Sequence, residues 1–193
     1  MIRSRKDYSD YREADRIALG RRKAGCWGWL VDTFFPDYIW RFQRLLRKLE
    51  YYGNVKRGMV GRLVYLYLKF KYRRLSLKLG FTIPENVFGP GLAIVHYGGI
   101  VVNEKARIGS NCRIHPGTSI GASAGSTEAP RIGDNVYIAP GAKIFGNIRI
   151  ANNTAIGANA VVNKSFEDEN MLVAGVPANI VKPIAIRQFI KHI

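Results

Sequence analysis

From residue 102 to residue 162 a large aliphatic side chain returns every six positions. The heads of successive hexads are Val102, Ile108, Ile114, Ile120, Ser126, Ile132, Ile138, Ile144, Ile150, Ile156 and Val162, and only Ser126 breaks the series. The position four further on is small or medium-sized: Ala106, Cys112, Thr118, Val136, Ala142, Ile148, Thr154, Ala160. Gly, Asn or Ala often follows the head, as at Asn103, Gly109, Gly121, Gly133, Ala139 and Gly157, where a tight turn would need it. A fixed short period of this kind marks a stacked solenoid. Six residues are too few for a helical repeat and fit a short strand plus a turn, so three units predict a triangular coil of 18 residues with aliphatic ladders along its axis. A sandwich of many short strands would space them irregularly, at about 8–12 residues. The pattern therefore predicts a mainly β protein built on a parallel β-helix.

Ahead of the repeat the pattern changes. Residues 1–23 are polar and charged and read as mobile or loosely helical, with no recognisable motif. Residues 24–40, AGCWGWLVDTFFPDYIW, are apolar and aromatic, but Asp32, Pro36 and Asp37 interrupt them. A membrane-spanning helix needs about 20 apolar residues, so none is predicted here. Phe42, Leu45, Leu46 and Leu49 fall at helical spacing within a helix over 40–52, which Gly53 and Asn54 would end. A second helix is predicted over 59–79, ended by Gly80. The chain thus divides into a helical region (1–80), a β-helix (81–183) and a tail (184–193).

Charge sharpens this division. Of 30 Lys/Arg and 14 Asp/Glu, residues 1–80 hold 20 and 7, whereas residues 81–193 hold 10 and 7. The basicity belongs to the helical region, and three readings of it stay open. It is a cap whose charges are solvated, a region that attaches peripherally to an anionic membrane through residues 24–80, or a nucleic-acid surface, for which no recognised motif is present. Cys26 and Cys112 read as unrelated reduced thiols. With no signal peptide in the polar first residues, a cytoplasmic protein is expected, at the inner face of the membrane if the region attaches there.

The segment GPGLAIVHYGGIVVN (89–103), the hexad array, the glycine-rich break GASAGSTEAP (121–130) and AGVPANIV (174–181) occur in one order. Together they resemble the serine acetyltransferase branch of the hexapeptide-repeat acyltransferases, and more narrowly its members in capsule and exopolysaccharide synthesis. The resemblance covers roughly residues 60–184. It implies a left-handed coil, an exception to the usual right-handed crossover. It also implies a homotrimer, with acetyl-CoA bound as co-substrate between neighbouring solenoids and no metal. His96 matches the catalytic base, whose imidazole suits removal of a hydroxyl proton near neutral pH. Taken alone, His96 stands six residues before Val102, on an inward hexad position, where a satisfied core histidine is the favoured reading. Glu104 matches a glutamate of the family site, and with Tyr97 and His115 it is assigned to the acceptor side. His115, following the inward Ile114, is expected to face out of the coil. The coenzyme groove is expected along Gly121, Ala122, Ala139, Ala158, Asn163, Lys164 and Lys182. The break at 121–130 is either a surface insertion or a loop over a neighbouring site.

Several family positions differ. The acid fifteen residues upstream of the base corresponds to Phe81, or to Thr82 with a one-residue gap. The acid directly before the base is Val95, and the second active-site histidine is Ala129. What orients His96 is left between a backbone carbonyl, Glu85 and a neighbouring subunit. These losses point away from serine and predict transfer to a hydroxyl of a sugar or polysaccharide precursor. Serine O-acetylation is the enzymatic alternative, and a scaffold binding membrane or nucleic acid is the non-enzymatic one.

Overall fold

The computed structural model describes residues 1–22 and 34–193, so Cys26 and most of the apolar stretch at 24–40 lie outside the described residues. Among the described residues three helices come first: α1 (Arg5–Ala18), α2 (Tyr38–Asn54) and α3 (Met59–Leu79). Of the two readings of the first residues, the helical one holds. In α1 the Ser4 hydroxyl accepts from Asp7 N at the N-terminus, and Asp15 ties the helix to the coil. Asp37 caps α2 in the same way, and α2 runs through Gly53 rather than stopping there. Tyr65 passes 3.1 Å from where a Cβ on Gly53 would sit, so close helix packing explains that glycine. The predicted span of α3 holds, and Gly80 ends it in the left-handed conformation (φ 74°).

The rest is a coil of parallel strands on three faces. The Val102 face stacks Phe81–Thr82, Ile100–Val102, Ser119–Gly121, Lys143–Phe145 and Val161–Val162. The Ile108 face stacks Arg107–Ile108, Arg131–Ile132 and Arg149–Ile150. The Ile114 face stacks Ala93–Ile94, Arg113–Ile114, Tyr137–Ile138, Ala155–Ile156 and Met171–Gly175, then turns back antiparallel at Ala178–Pro183. The heads meet in register down each face, as in Ile94, Ile114, Ile138, Ile156 and Val173, and all of these are buried. The +4 residues are buried beside them, Cys112 included, whose thiol burial pushes up to about 12. Burying each Ile or Val is worth about 1.5–3 kcal/mol, and the ladder repeats that gain at every turn.

Two irregularities adjust the predicted register. Ile114 pairs with Ile138 and Ile120 with Ile144, 24 residues apart instead of 18, because residues 121–130 leave the coil as a loop. The insertion equals one period, so Ser126 breaks the series without shifting its phase. Ile94 pairs with Ile114, 20 residues on, because the bend at 95–99 holds two extra residues. The inward residue there is Ile94, and the placing of His96 on an inward position is corrected: it stands exposed in the bend. The turn residues also differ from expectation. The left-handed positions are three after the head, at Asn111, Asn135, Asn153, Asn159, Gly117 and Gly141. Gly109 and Gly133, directly after the head, have ordinary φ, but a Cβ on Gly109 would come within 2.7 Å of the Gly133 backbone. Those glycines let successive coils stack.

The helices close the open end of the coil. Ile39, Phe42, Leu46 and Leu49 of α2 enter the same core as the first heads. Gln43 behaves as a substitute strand: its amide donates to Leu92 O (2.6 Å) and accepts from Ile94 N (3.2 Å), satisfying the edge of the Ile114 face. Arg47, fully buried, pairs with Asp15 (2.8 Å) and Glu50 (3.0 Å) and donates to the carbonyls of Phe88 and Gly89. Asp15 also accepts from Gly91 N and Leu92 N, and Glu50 from Asn86 N. At the far end Ile186 and Ile190 of the tail pack on Ala155, with Tyr137 and Phe189 alongside.

Candidate active site

The bend carrying His96 is held from two sides. Gly98 N donates to Leu79 O at the end of α3, and Gly117 N donates to Gly99 O from the next coil. Gly98 adopts φ 126°, and a Cβ there would meet Pro116 at 3.2 Å, so this corner tolerates only glycine. His96 and Tyr97 are thereby presented to solvent at the corner between the Ile114 and Val102 faces.

The His96 ring faces His115, with 6.4 Å between centroids. His115 leaves the coil outward as expected, yet it is covered there and only 8% exposed. Tyr137 lies 4.9 Å from it and Phe189 5.1 Å from Tyr137, so the rings form a column down the outside of the Ile114 face. The His115 Nδ1 is 2.9 Å from Ile138 O. A carbonyl only accepts, so Nδ1 carries the proton and the neutral ring keeps a lone pair on Nε2. Burial lowers the His115 pKa; the Ile138 hydrogen bond opposes this, and the charges of Arg113 and His96 add to it.

Glu85 does not orient His96. Its carboxylate receives Lys69 at 2.5 Å and the Tyr65 hydroxyl at 3.2 Å, beneath α3. At the positions of the missing acids, Phe81 is buried in the core, Thr82 is exposed on the first strand and Val95 is half-buried. Ala129 is buried where the loop rejoins the coil.

The remaining residues fall into separate groups. Ala139 and Ala158 lie on the corner of His96, two and three coils further along, Ala139 buried and Ala158 exposed. Glu104, Gly121, Ala122, Asn163 and Lys164 occupy the other edge of the Val102 face, where it turns toward the Ile108 face. Lys182 sits on the terminal hairpin opposite Leu172, and the Lys164 ammonium reaches that hairpin at Asn179 (2.7 Å). One chain therefore carries the two groups on opposite edges of a single face and does not bring them together. Sequence reasoning missed the closeness of His115 to His96, which follows from the pairing of Ile94 with Ile114 that sets Val95, the neighbour of His96, level with His115.

Residues 129–164 match the family described as bacterial transferase hexapeptide (six repeats). A serine acetyltransferase of Staphylococcus aureus (strain Mu50 / ATCC 700699) is 42% identical over 106 residues, 54% of this chain and 49% of that protein. The chain thus spans about half the length of the relatives it matches in sequence. Among solved structures, serine acetyltransferase from Neisseria gonorrhoeae superposes with a TM-score of 0.72 at 30% identity, over 94% of this chain and 69% of that one. Serine acetyltransferase from Brucella abortus strain S19 in complex with coenzyme A gives 0.72 at 26% identity, over 94% and 70%. The coil, the repeat and these relatives together show that the chain belongs to the bacterial hexapeptide transferase family, among relatives that are serine acetyltransferases.

Proposed function

We propose that this chain is an acetyl-CoA-dependent O-acetyltransferase with His96 as general base. The observation that carries the reading is an exposed imidazole in a glycine-built bend, backed by a buried histidine of fixed tautomer. The acceptor's hydroxyl oxygen attacks the thioester carbonyl while His96 takes its proton. The tetrahedral intermediate then breaks its C–S bond, and the coenzyme thiolate leaves and recovers the proton. His115 acts as a positioning residue. The 6.4 Å between ring centroids is too long for a direct N–H···N bond and leaves room for one oxygen between the rings, that of a water or of the acceptor.

The two groups on opposite edges of the Val102 face support a homotrimer. A neighbouring copy would bring its far edge, with Glu104, Asn163 and Lys164, against the His96 corner, and acetyl-CoA would lie between them on a left-handed coil. Exposed Lys164 and Lys182 would meet its phosphates as point charges, and Ala158 offers no bulk against the pantetheine arm. This donor places the reaction in the cytoplasm.

For the acceptor, the serine acetyltransferases among the relatives favour L-serine over the sugar hydroxyl expected from the sequence. The sugar keeps one specific observation in its support: Phe81, Val95 and Ala129 provide no charge for an amino acid's ammonium and carboxylate groups. Thiol release with each acceptor decides between them. L-serine is expected to be acetylated with saturation; transfer only to sugars would reverse the order of the two readings. His96→Ala should lower kcat by about two to four powers of ten with coenzyme affinity retained, and normal turnover in that variant would remove His96 as the base.

A further inference from the structure

The helical region carries a second surface that acyl transfer does not use. Between α1, α2 and α3 runs a groove of about 940 Å³. Its walls include Arg12 of α1, Arg41 and Lys48 of α2, and Lys71, Arg74 and Lys78 of α3, and among the described residues no carboxylate lines it. Among the described residues none of these six cations is in an ion pair. Lys71, Arg74 and Lys78 lie over the rings of Tyr67, Phe70 and Tyr38 instead. The Arg12 Nε is buried with no hydrogen-bond partner. Such a gathering of cations is costly unless an anion comes to it.

Beside the groove α3 exposes an apolar ridge, crossed by Arg74 between Phe70 and Leu77. Leu63, Leu66, Tyr67, Phe70 and Leu77 follow helical spacing and are 55–84% exposed, and Met59 extends the ridge at the helix start. Arg62 and Arg73 flank it on one side and Lys71 and Lys78 on the other, and Phe70 belongs to both ridge and groove. The opposite face of α3, with Leu68, Tyr72 and Leu79, is already buried against the core. Phe34 and Phe35, near the N-terminus of α2, are exposed as well.

We propose that α3 and the groove beside it form a docking face for an anionic membrane surface, with lipid phosphates entering the groove and the ridge seated at the acyl boundary. An apolar stripe between two rows of cations is what an interfacial helix presents. Charge selects this occupant over a second copy of the chain. The α3 sequence MVGRLVYLYLKFKYRRLSLKL contains six Lys/Arg and no Asp or Glu, so ridge-to-ridge pairing would set like charges against each other. The aliphatic ridge also favours lipid over a nucleic acid, which would be met by stacking rings. No helix among the described residues is long and apolar enough to cross a membrane, so the docking is peripheral.

The test is cosedimentation of the full chain with vesicles of phosphatidylcholine alone or mixed with phosphatidylglycerol, across a salt series. Two variants are compared, K71Q/R74Q/K78Q in the groove and L63S/L66S/F70S on the ridge. All six residues are exposed, and thermal unfolding checks that both variants keep the wild-type fold. The wild type should pellet with the anionic vesicles and not with the neutral ones. The groove variant should lose about a hundredfold in partitioning and most of the salt dependence; the ridge variant should lose binding that salt does not remove in the wild type. Equal pelleting with neutral vesicles, no pelleting, or unchanged binding in either variant overturns the proposal. So does tighter binding of a DNA duplex that the groove variant abolishes, which would make the groove a nucleic-acid surface. Dissociation of an assembly by the ridge variant with vesicle binding intact would assign the ridge to a second copy. Acetyl transfer is not read in this experiment, so its outcome stands apart from that of the catalytic reading.

Discussion

The helical region and the coil are stabilised in opposite ways. In the coil one solution repeats: a buried aliphatic head, a small residue four later, a left-handed corner, and a backbone bonded to the coils above and below. No single residue dominates, since each turn needs only its neighbours. The helical region depends on one fully buried polar cluster, in which Arg47 holds Asp15 and Glu50 and reaches two carbonyls of the first coil. Such a cluster adds little net stability while complete, but leaves buried charges stranded once a member is lost. The coil tolerates local damage, and the junction does not.

The sharpest way to break that contrast is Arg47→Ala. Asp15 and Glu50 would be left charged and unpaired at under 3% side-chain exposure. The loss is expected to be about 3–5 kcal/mol, read by denaturant unfolding, with α1 released first and seen as faster amide exchange there. A loss under about 1 kcal/mol would show the junction to be as forgiving as the coil.

Within the coil, Ile138→Ala removes a fully buried head between Ile114 and Ile156. It should cost about 2–5 kcal/mol as a cavity. Exchange should quicken on the flanking turns while the junction amides of Gly91 and Leu92 stay protected. Equal loss of protection at both ends would mean the two regions unfold as one unit.

The smallest effect is expected from His115. Burial lowers its pKa below the ordinary value of 6.5, so below that pH the unfolded chain binds a proton that the folded chain resists. Stability should therefore rise with pH between the folded pKa and about 6.5, and fall as the pH drops through that window. Burial lowers His192 as well and adds to the same slope. His115→Asn, which retains a donor for Ile138 O, should flatten the dependence without removing it. A slope unchanged by the substitution would place the proton uptake elsewhere.

The position of His96 shows how far periodicity reaches. Heads, small +4 residues and the α3 boundaries were legible because they are local: a six-residue period and a 3.6-residue period each leave a pattern within one turn. A count of six cannot detect two extra residues at a corner, so the same period that located the coil put His96 inside it. The insertion at 121–130 stayed in phase only because it equals one repeat. The turn residues were likewise set one coil apart in space, where Gly109 meets Gly133 and Asn111 meets Asn135, although the choice of glycine and asparagine was visible in advance.

The sequence by itself determined the repeat and its three-faced stacking, because both depend on residues close along the chain. The tertiary structure decided what surrounds them. Asp15 finds Arg47 across 32 positions and Gln43 finds Leu92 across 49, and no pattern marks either pair, since a buried arginine and a solvated one look alike on a helix. The approach of His115 to His96, the separation of the predicted coenzyme residues onto two edges of one face, and the gathering of unpaired cations beside an apolar ridge were settled in the same way. They follow from which faces pack, and packing energy is a property of surfaces brought together from distant parts of the chain.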